Sequence, residues 1–124
     1  FITASYLVID IKNKKATLAK AGHPSLMIYS PSKDQINEYR TRGRLMGVYD
    51  KLNTENNIIK LLKNDRILFF TDGVMEVTND ADETFGEENF KKFVVNHGHL
   101  APRAFRETLM GELIRWKGNP AKEL

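Results

Sequence analysis

The apolar pattern of this 124-residue chain changes period once, near Glu87, and that change bounds the folds open to it. Before it, β-branched and aromatic residues come in short runs cut by polar connections: "ITASYLVIDI", "ATLAKAG", "SLMIYS", "QINEYR", "NNIIKLL" and "RILFF". Runs of this kind favour extended strands, because branched side chains pack well on a pleated surface. After it, Phe90, Phe93, Val94 and His97 recur at helical spacing. A second set, Phe105, Leu109, Leu113 and Trp116, follows Pro102, whose fixed φ suits a first helical turn. Strands first and helices second predict an α+β domain in which two helices cover one face of an antiparallel sheet.

The connections refine that expectation. "KNKK" reads as the solvated turn of a first hairpin, and the spacing of the next two runs predicts that the strands continue as a meander. "TRGRLMGVYD" has two glycines and no clean period, so it reads as a loop crossing back toward the sheet. Asn64 and Asp65 favour a turn between the last two strands. "VMEV" fits a short helical turn and "TNDADETFG" a polar surface loop.

Composition excludes several chemistries. With no cysteine there is neither a disulfide framework nor a thiolate nucleophile or metal site, and a cytoplasmic location is expected. No apolar stretch is long enough to cross a bilayer, so no membrane contact is expected of these residues. The length suits one modest core, and we expect residues 1–124 to form a single partial domain. The strand-like start at Phe1 and the helical pattern running into "GNPAKEL" lead us to expect interruption at both ends. Formal charge is +3 but uneven, and residues 72–88 carry Asp72, Glu76, Asp80, Asp82, Glu83, Glu87 and Glu88 with no basic residue. Such a segment attracts cations and repels nucleic acid, so no nucleic-acid partner is expected.

The apolar run "RILFF" ends in "TDG", which makes Asp72 a candidate metal ligand on a rigid mount, with Gly73 leaving room for water or a backbone oxygen. An aspartate there is also a favoured helix N-cap, and this stretch alone leaves both readings open. Glu76 would share a helical face with Asp72, or simply favour the positive end of that turn. His23, between Gly22 and Pro24, is held extended and could orient water or make a backbone hydrogen bond. Arg40, Arg42 and Arg44 could bind phosphate or could be a solvated loop. No phosphate-loop spacing, no dinucleotide glycine fingerprint and no G-x-S-x-G elbow occurs, so covalent hydrolase chemistry has little support.

Taken together, "FITASYLVID", "AKAGHPSLMIY", "GRLMGV", "LKNDRILFFTDGVMEVTN" and "FGEENF" closely resemble the bacterial sporulation and stress-response serine phosphatases of the metal-dependent PP2C-like superfamily. The resemblance implies a layered α/β/β/α fold in which two ions, Mn²⁺ or Mg²⁺, activate water against a phosphoserine or phosphothreonine. It places Asp72 as a metal ligand, with no catalytic side chain besides the activated water. Gly73, Glu76, Gly22, His23 and Gly47 support the site, and for Arg42 and Arg44 both readings, a contact for phosphate or a partner and a solvated loop, stay open. It further implies a phosphorylated regulatory substrate of the anti-sigma-antagonist type, allows helix-mediated homodimers, and allows a membrane anchor elsewhere in a parent chain.

Two family segments have no counterpart here: an upstream aspartate before a Gly-His-Gly type sequence, and a downstream paired aspartate leading into a final strand. Asp72 is then one ligand of a set that these residues do not complete, and the segment alone is expected to bind metal weakly and turn over little phosphate. A noncatalytic interaction module on the same fold is the alternative reading.

Overall fold

The structure, a computed structural model, describes residues 1–23, 26–40 and 42–118. Six strands are followed by two helices: β1 (Ala4–Asp10), β2 (Lys15–Ala21), β3 (Leu26–Ser30), β4 (Gln35–Tyr39), β5 (Asn57–Lys60), β6 (Arg66–Leu68), α1 (Gly86–His97) and α2 (Pro102–Lys117). The predicted first hairpin is present, with Ala4 opposite Ala21 and Asp10 opposite Lys15. Its turn is tied by Asp10, whose carboxylate accepts the Asn13 backbone and side-chain N–H groups at 3.0 and 2.8 Å.

The strands do not continue as one meander. They form two antiparallel three-stranded sheets, β1-β2-β5 and β4-β3-β6, so the chain changes sheet three times: between β2 and β3, between β4 and β5, and between β5 and β6. Gly22 makes the first change possible. Its φ of +67° lies where side chains are strained, and an added Cβ would come within 2.4 Å of Leu45 Cδ2. Pro24 and Ser25, which precede β3 in the sequence, lie outside the described residues.

The sheets stack through Ala16, Leu18, Leu26, Ile28 and Ile59, with Leu7 and Ile67 against them. The opposite face of β4-β3-β6 carries a second, aromatic core: Met27 and Tyr29 meet Phe85, Phe90, Phe93, Val94, Phe105 and Leu113. The helical sets expected from the sequence thus do cover one sheet face. β3 belongs to both cores because successive side chains point to opposite faces, and all five of its residues are buried. Strand alternation alone therefore divides one segment between two hydrophobic interiors.

The helices begin as their sequences dictate. Pro102 occupies the first turn of α2, and Glu87 and Glu88 lie in the first turn of α1, where acids favour the positive end of the helix. The described residues form a β/β/α stack, the part of the expected α/β/β/α layering on the helix-covered side.

Candidate functional site

The register of β3 against β6, with Met27 opposite Leu68, sends the chain beyond β6 toward the start of β3. Thr71 and Asp72 therefore emerge at the end of the sandwich where β2 departs through Gly22 and His23. Arg40 emerges there too, one residue past the Tyr39 that faces Leu26. The registers thus direct the chain leaving β2, β4 and β6 toward one end of the stack.

Asp72 opens a one-turn 3-10 helix over Asp72–Val74. Its backbone carbonyl accepts the Met75 and Glu76 N–H groups at 2.9 and 3.0 Å. The N-cap position is Thr71, and no side chain caps the turn, so Asp72 is not the helix cap its residue type allowed. Its carboxylate is exposed and has no hydrogen bond or ion pair within the described residues. A Cβ on Gly73 would meet only Thr71 Oγ1, at an ordinary 3.6 Å, which leaves open space beside that carboxylate. Glu76 lies exposed one turn on. Beyond it the acidic loop is folded on Asn79, whose Oδ1 accepts the Ala81 and Glu83 N–H groups at 3.0 and 2.9 Å.

His23 is half-buried, and its Nδ1 lies 3.3 Å from Thr3 Oγ1. The Arg42–Arg44 segment runs directly across the end of β2: Gly22 N–H donates to the Gly43 carbonyl at 2.9 Å, and a Cβ on Gly43 would fall 1.5 Å from the Lys20 carbonyl oxygen. The loop expected to cross back does so there. It then closes on itself, with Arg44 N–H donating to the Leu52 carbonyl at 2.8 Å and the Arg44 guanidinium 4.9 Å from the Tyr49 ring centre. Gly47, at φ +84°, turns the chain just after Met46 pairs with Ile2 through two 2.9 Å bonds. No hydrogen bond or ion pair joins Asp72 or Glu76 to His23, Arg42 or Arg44 among the described residues.

Two polar groups at this end went unnoticed in the sequence. Lys20 is only 6% exposed, and its ammonium donates to the His23 carbonyl at 3.1 Å. Burial holds its pKa below the ordinary lysine value, and the nearby Arg40 charge adds to the effect. Opposite it in the register stands Ser5, whose Oγ is buried with no hydrogen-bond partner among the described residues. Parity was the available signal: Lys20 falls two residues after Leu18 and four after Ala16, on the face that becomes the inter-sheet core.

Glu38 of β4 links the sheet to α1. Its carboxyl is held down at about 2 by hydrogen bonding with Glu87, then with Lys91, and by Arg40, whose Nη2 lies 3.0 Å away. Lys91 contacts both Glu38 and Glu87.

The donor set for a metal is partial. No group of three or more His, Cys, Asp or Glu side chains able to hold an ion occurs among the described residues. Asp72 provides one free carboxylate, which fits one position in the coordination of a hard cation that prefers oxygen ligands and water. No helix among them is long and apolar enough to cross a membrane.

Comparison with known proteins gives a consistent result. The family profile described as Stage II sporulation protein E (SpoIIE) matches residues 1–123. Phosphoserine phosphatase RsbP of Bacillus subtilis is 31% identical over 78 residues, which is 63% of this chain and 19% of RsbP. The SiaA-PP2C domain of Pseudomonas aeruginosa superposes with a TM-score of 0.81 at 18% identity, over 95% of this chain and 46% of that domain. A Mn-presoaked structure of the SpoIIE phosphatase domain from Bacillus subtilis gives 0.68 at 18% identity, over 98% and 52%. The chain therefore has the fold of PP2C phosphatase domains and spans about half of their length, or less.

Proposed function

The chain belongs to the SpoIIE family of PP2C-like phosphatase domains, and on that premise we propose that it is the portion of a serine/threonine phosphatase that presents Asp72 to a divalent ion. The observation that carries this reading is the exposed, unpaired Asp72 carboxylate, mounted just past β6 at the end of the sandwich that also holds the Gly22–His23 turn. Asp72 would hold Mn²⁺ or Mg²⁺ jointly with ligands from outside these 124 residues. When bound, such ions lower the pKa of a coordinated water and neutralise charge on a phosphoryl group.

The chain's own contribution is positional. The 3-10 turn fixes the backbone from which the Asp72 carboxylate projects, through bonds from the Met75 and Glu76 N–H groups, and Gly73 adds no side chain beside it. Glu76 adds a second negative charge one turn away, which favours a cation over an anion at that point. Arg42 and Arg44, exposed on the crossing loop, supply positive charge for a phosphorylated partner. The substrate we propose is a phosphorylated regulatory protein of the anti-sigma-antagonist type, in keeping with the likeness to RsbP.

The test is phosphate release from a phosphoserine peptide in Mn²⁺, comparing a parent protein containing this segment with its Asp72→Asn form. Removing a ligand charge should lower turnover by about a hundredfold or more, since metal stabilisation amounts to several kcal/mol. Equal turnover in the two proteins overturns the assignment of Asp72. Absence of Mn²⁺-dependent turnover in the parent favours the noncatalytic interaction module.

A further inference from the structure

We propose that Lys20 and Ser5 form the base of an oxyanion-binding site, one that takes a phosphoryl group at the Gly22–His23 end of the sandwich. The identity of the anion as phosphoryl rests on the phosphatase reading above; the site itself rests on two independent observations. Lys20 is a buried ammonium with three protons to donate, one of which goes to the His23 carbonyl, and no carboxylate pairs with it among the described residues. Ser5 Oγ is buried and has no hydrogen-bond partner among the described residues.

These two groups share a face. Ser5 is the register partner of Lys20, and both follow the parity of residues that point into the inter-sheet space: Leu7 on β1, Ala16 and Leu18 on β2. A cation and a hydroxyl rooted opposite one another in the register, each with hydrogen-bonding capacity to spare, make an arrangement that an oxyanion satisfies by accepting from both. Ser5 and His23 are only half-buried, so the ammonium lies one layer beneath the surface at this end.

The crossing loop beside Lys20 carries charge of the same sign. Arg42 and Arg44 flank Gly43, whose backbone lies against the Lys20 carbonyl, and neither guanidinium has an ion pair among the described residues. Arg40 is near enough to depress the charged form of Lys20, and it alone is matched, by Glu38. Three of the four cations at this end thus lack a carboxylate, an excess that a doubly charged phosphate monoester complements better than a carboxylate does.

The experiment is a titration of the metal-free protein with inorganic phosphate, followed by ³¹P NMR at fixed ionic strength, with acetate as a parallel probe. Lys20→Gln keeps a donor for the His23 carbonyl while removing the charge; it should weaken phosphate binding by about tenfold or more, the loss typical of a charge-assisted hydrogen bond. Ser5→Ala, which deletes only an unpaired hydroxyl, should weaken it by about threefold. Unchanged affinity in both Lys20→Gln and Ser5→Ala overturns the proposal. Acetate binding as tightly as phosphate also overturns it, by assigning the pair to a carboxylate. Should Lys20→Gln fail to fold by circular dichroism, Ser5→Ala decides. A protein that binds phosphate through Lys20 yet has no turnover with Mn²⁺ sinks the catalytic reading alone, and an active one indifferent to Lys20 sinks this proposal alone.

Discussion

β1 and β3 are both rich in branched and aromatic residues, yet every residue of Leu26–Ser30 is buried and none of Ala4–Asp10 is. Composition does not separate them; the layers around them do. β3 lies between the first sheet and the helices and contributes to two cores, whereas β1 has the inter-sheet core on one side only. On the other side Tyr6 is 70% exposed and, across the same sheet, Ile58 is 69% exposed. A strand's apolar content therefore states how much it can bury, and its neighbours decide how much it does.

The contrast can be pressed hardest in the aromatic core. Phe90 is 1% exposed and its ring centre lies 5.2 Å from that of Phe70, so Phe90→Ala should cost about 4 kcal/mol in urea unfolding. Leu18→Ala probes the inter-sheet core shared by β2 and β3, where the side chain is fully buried among mainly aliphatic neighbours; about 3 kcal/mol is expected by the same measurement. A cost below 1 kcal/mol there would mean that the two sheets are not packed on each other.

A smaller effect sharpens the role of α1 in covering β3 and β4. Because the Glu38 carboxyl is depressed to about 2 in the folded protein, its contribution is complete above the ordinary glutamate pKa, near 4.5. It is lost as pH falls from there through about 2. Stability should thus drop across that window by on the order of 1 kcal/mol from this group, allowing for solvent screening, and Glu38→Gln should remove that part of the slope. The smallest change is expected on the open face. Ile58→Thr should alter stability by less than about 0.5 kcal/mol, and a loss comparable to that of Leu18→Ala would show this face to be covered in solution.

Much of the architecture was legible because it is local. The six strand runs and both helices follow from period, and Pro102 marks the start of α2 as its chemistry requires. The partition into two sheets was implied by the resemblance but not by period, since pairing depends on where the connections aim the chain. A positive φ at Gly22 and the short link between β5 and β6 redirect strands whose own sequences would equally suit a meander. The site divides in the same way. The position of Asp72 past an apolar strand could be read directly, but its lack of a capping role could not, because aspartate suits both uses. Lys20 and Ser5 each look ordinary in the sequence, and only the register sets them opposite one another.

The fastening of the acidic loop to the second helix has a practical consequence. Trp116 is the sole indole of the chain; its Nε1–H donates to the Glu83 carbonyl at 3.1 Å, and its ring meets Phe85 edge-on at 5.7 Å. Its fluorescence is therefore an intrinsic optical gauge of whether the segment leading from Asp72 into the first helix is seated, readable without any label.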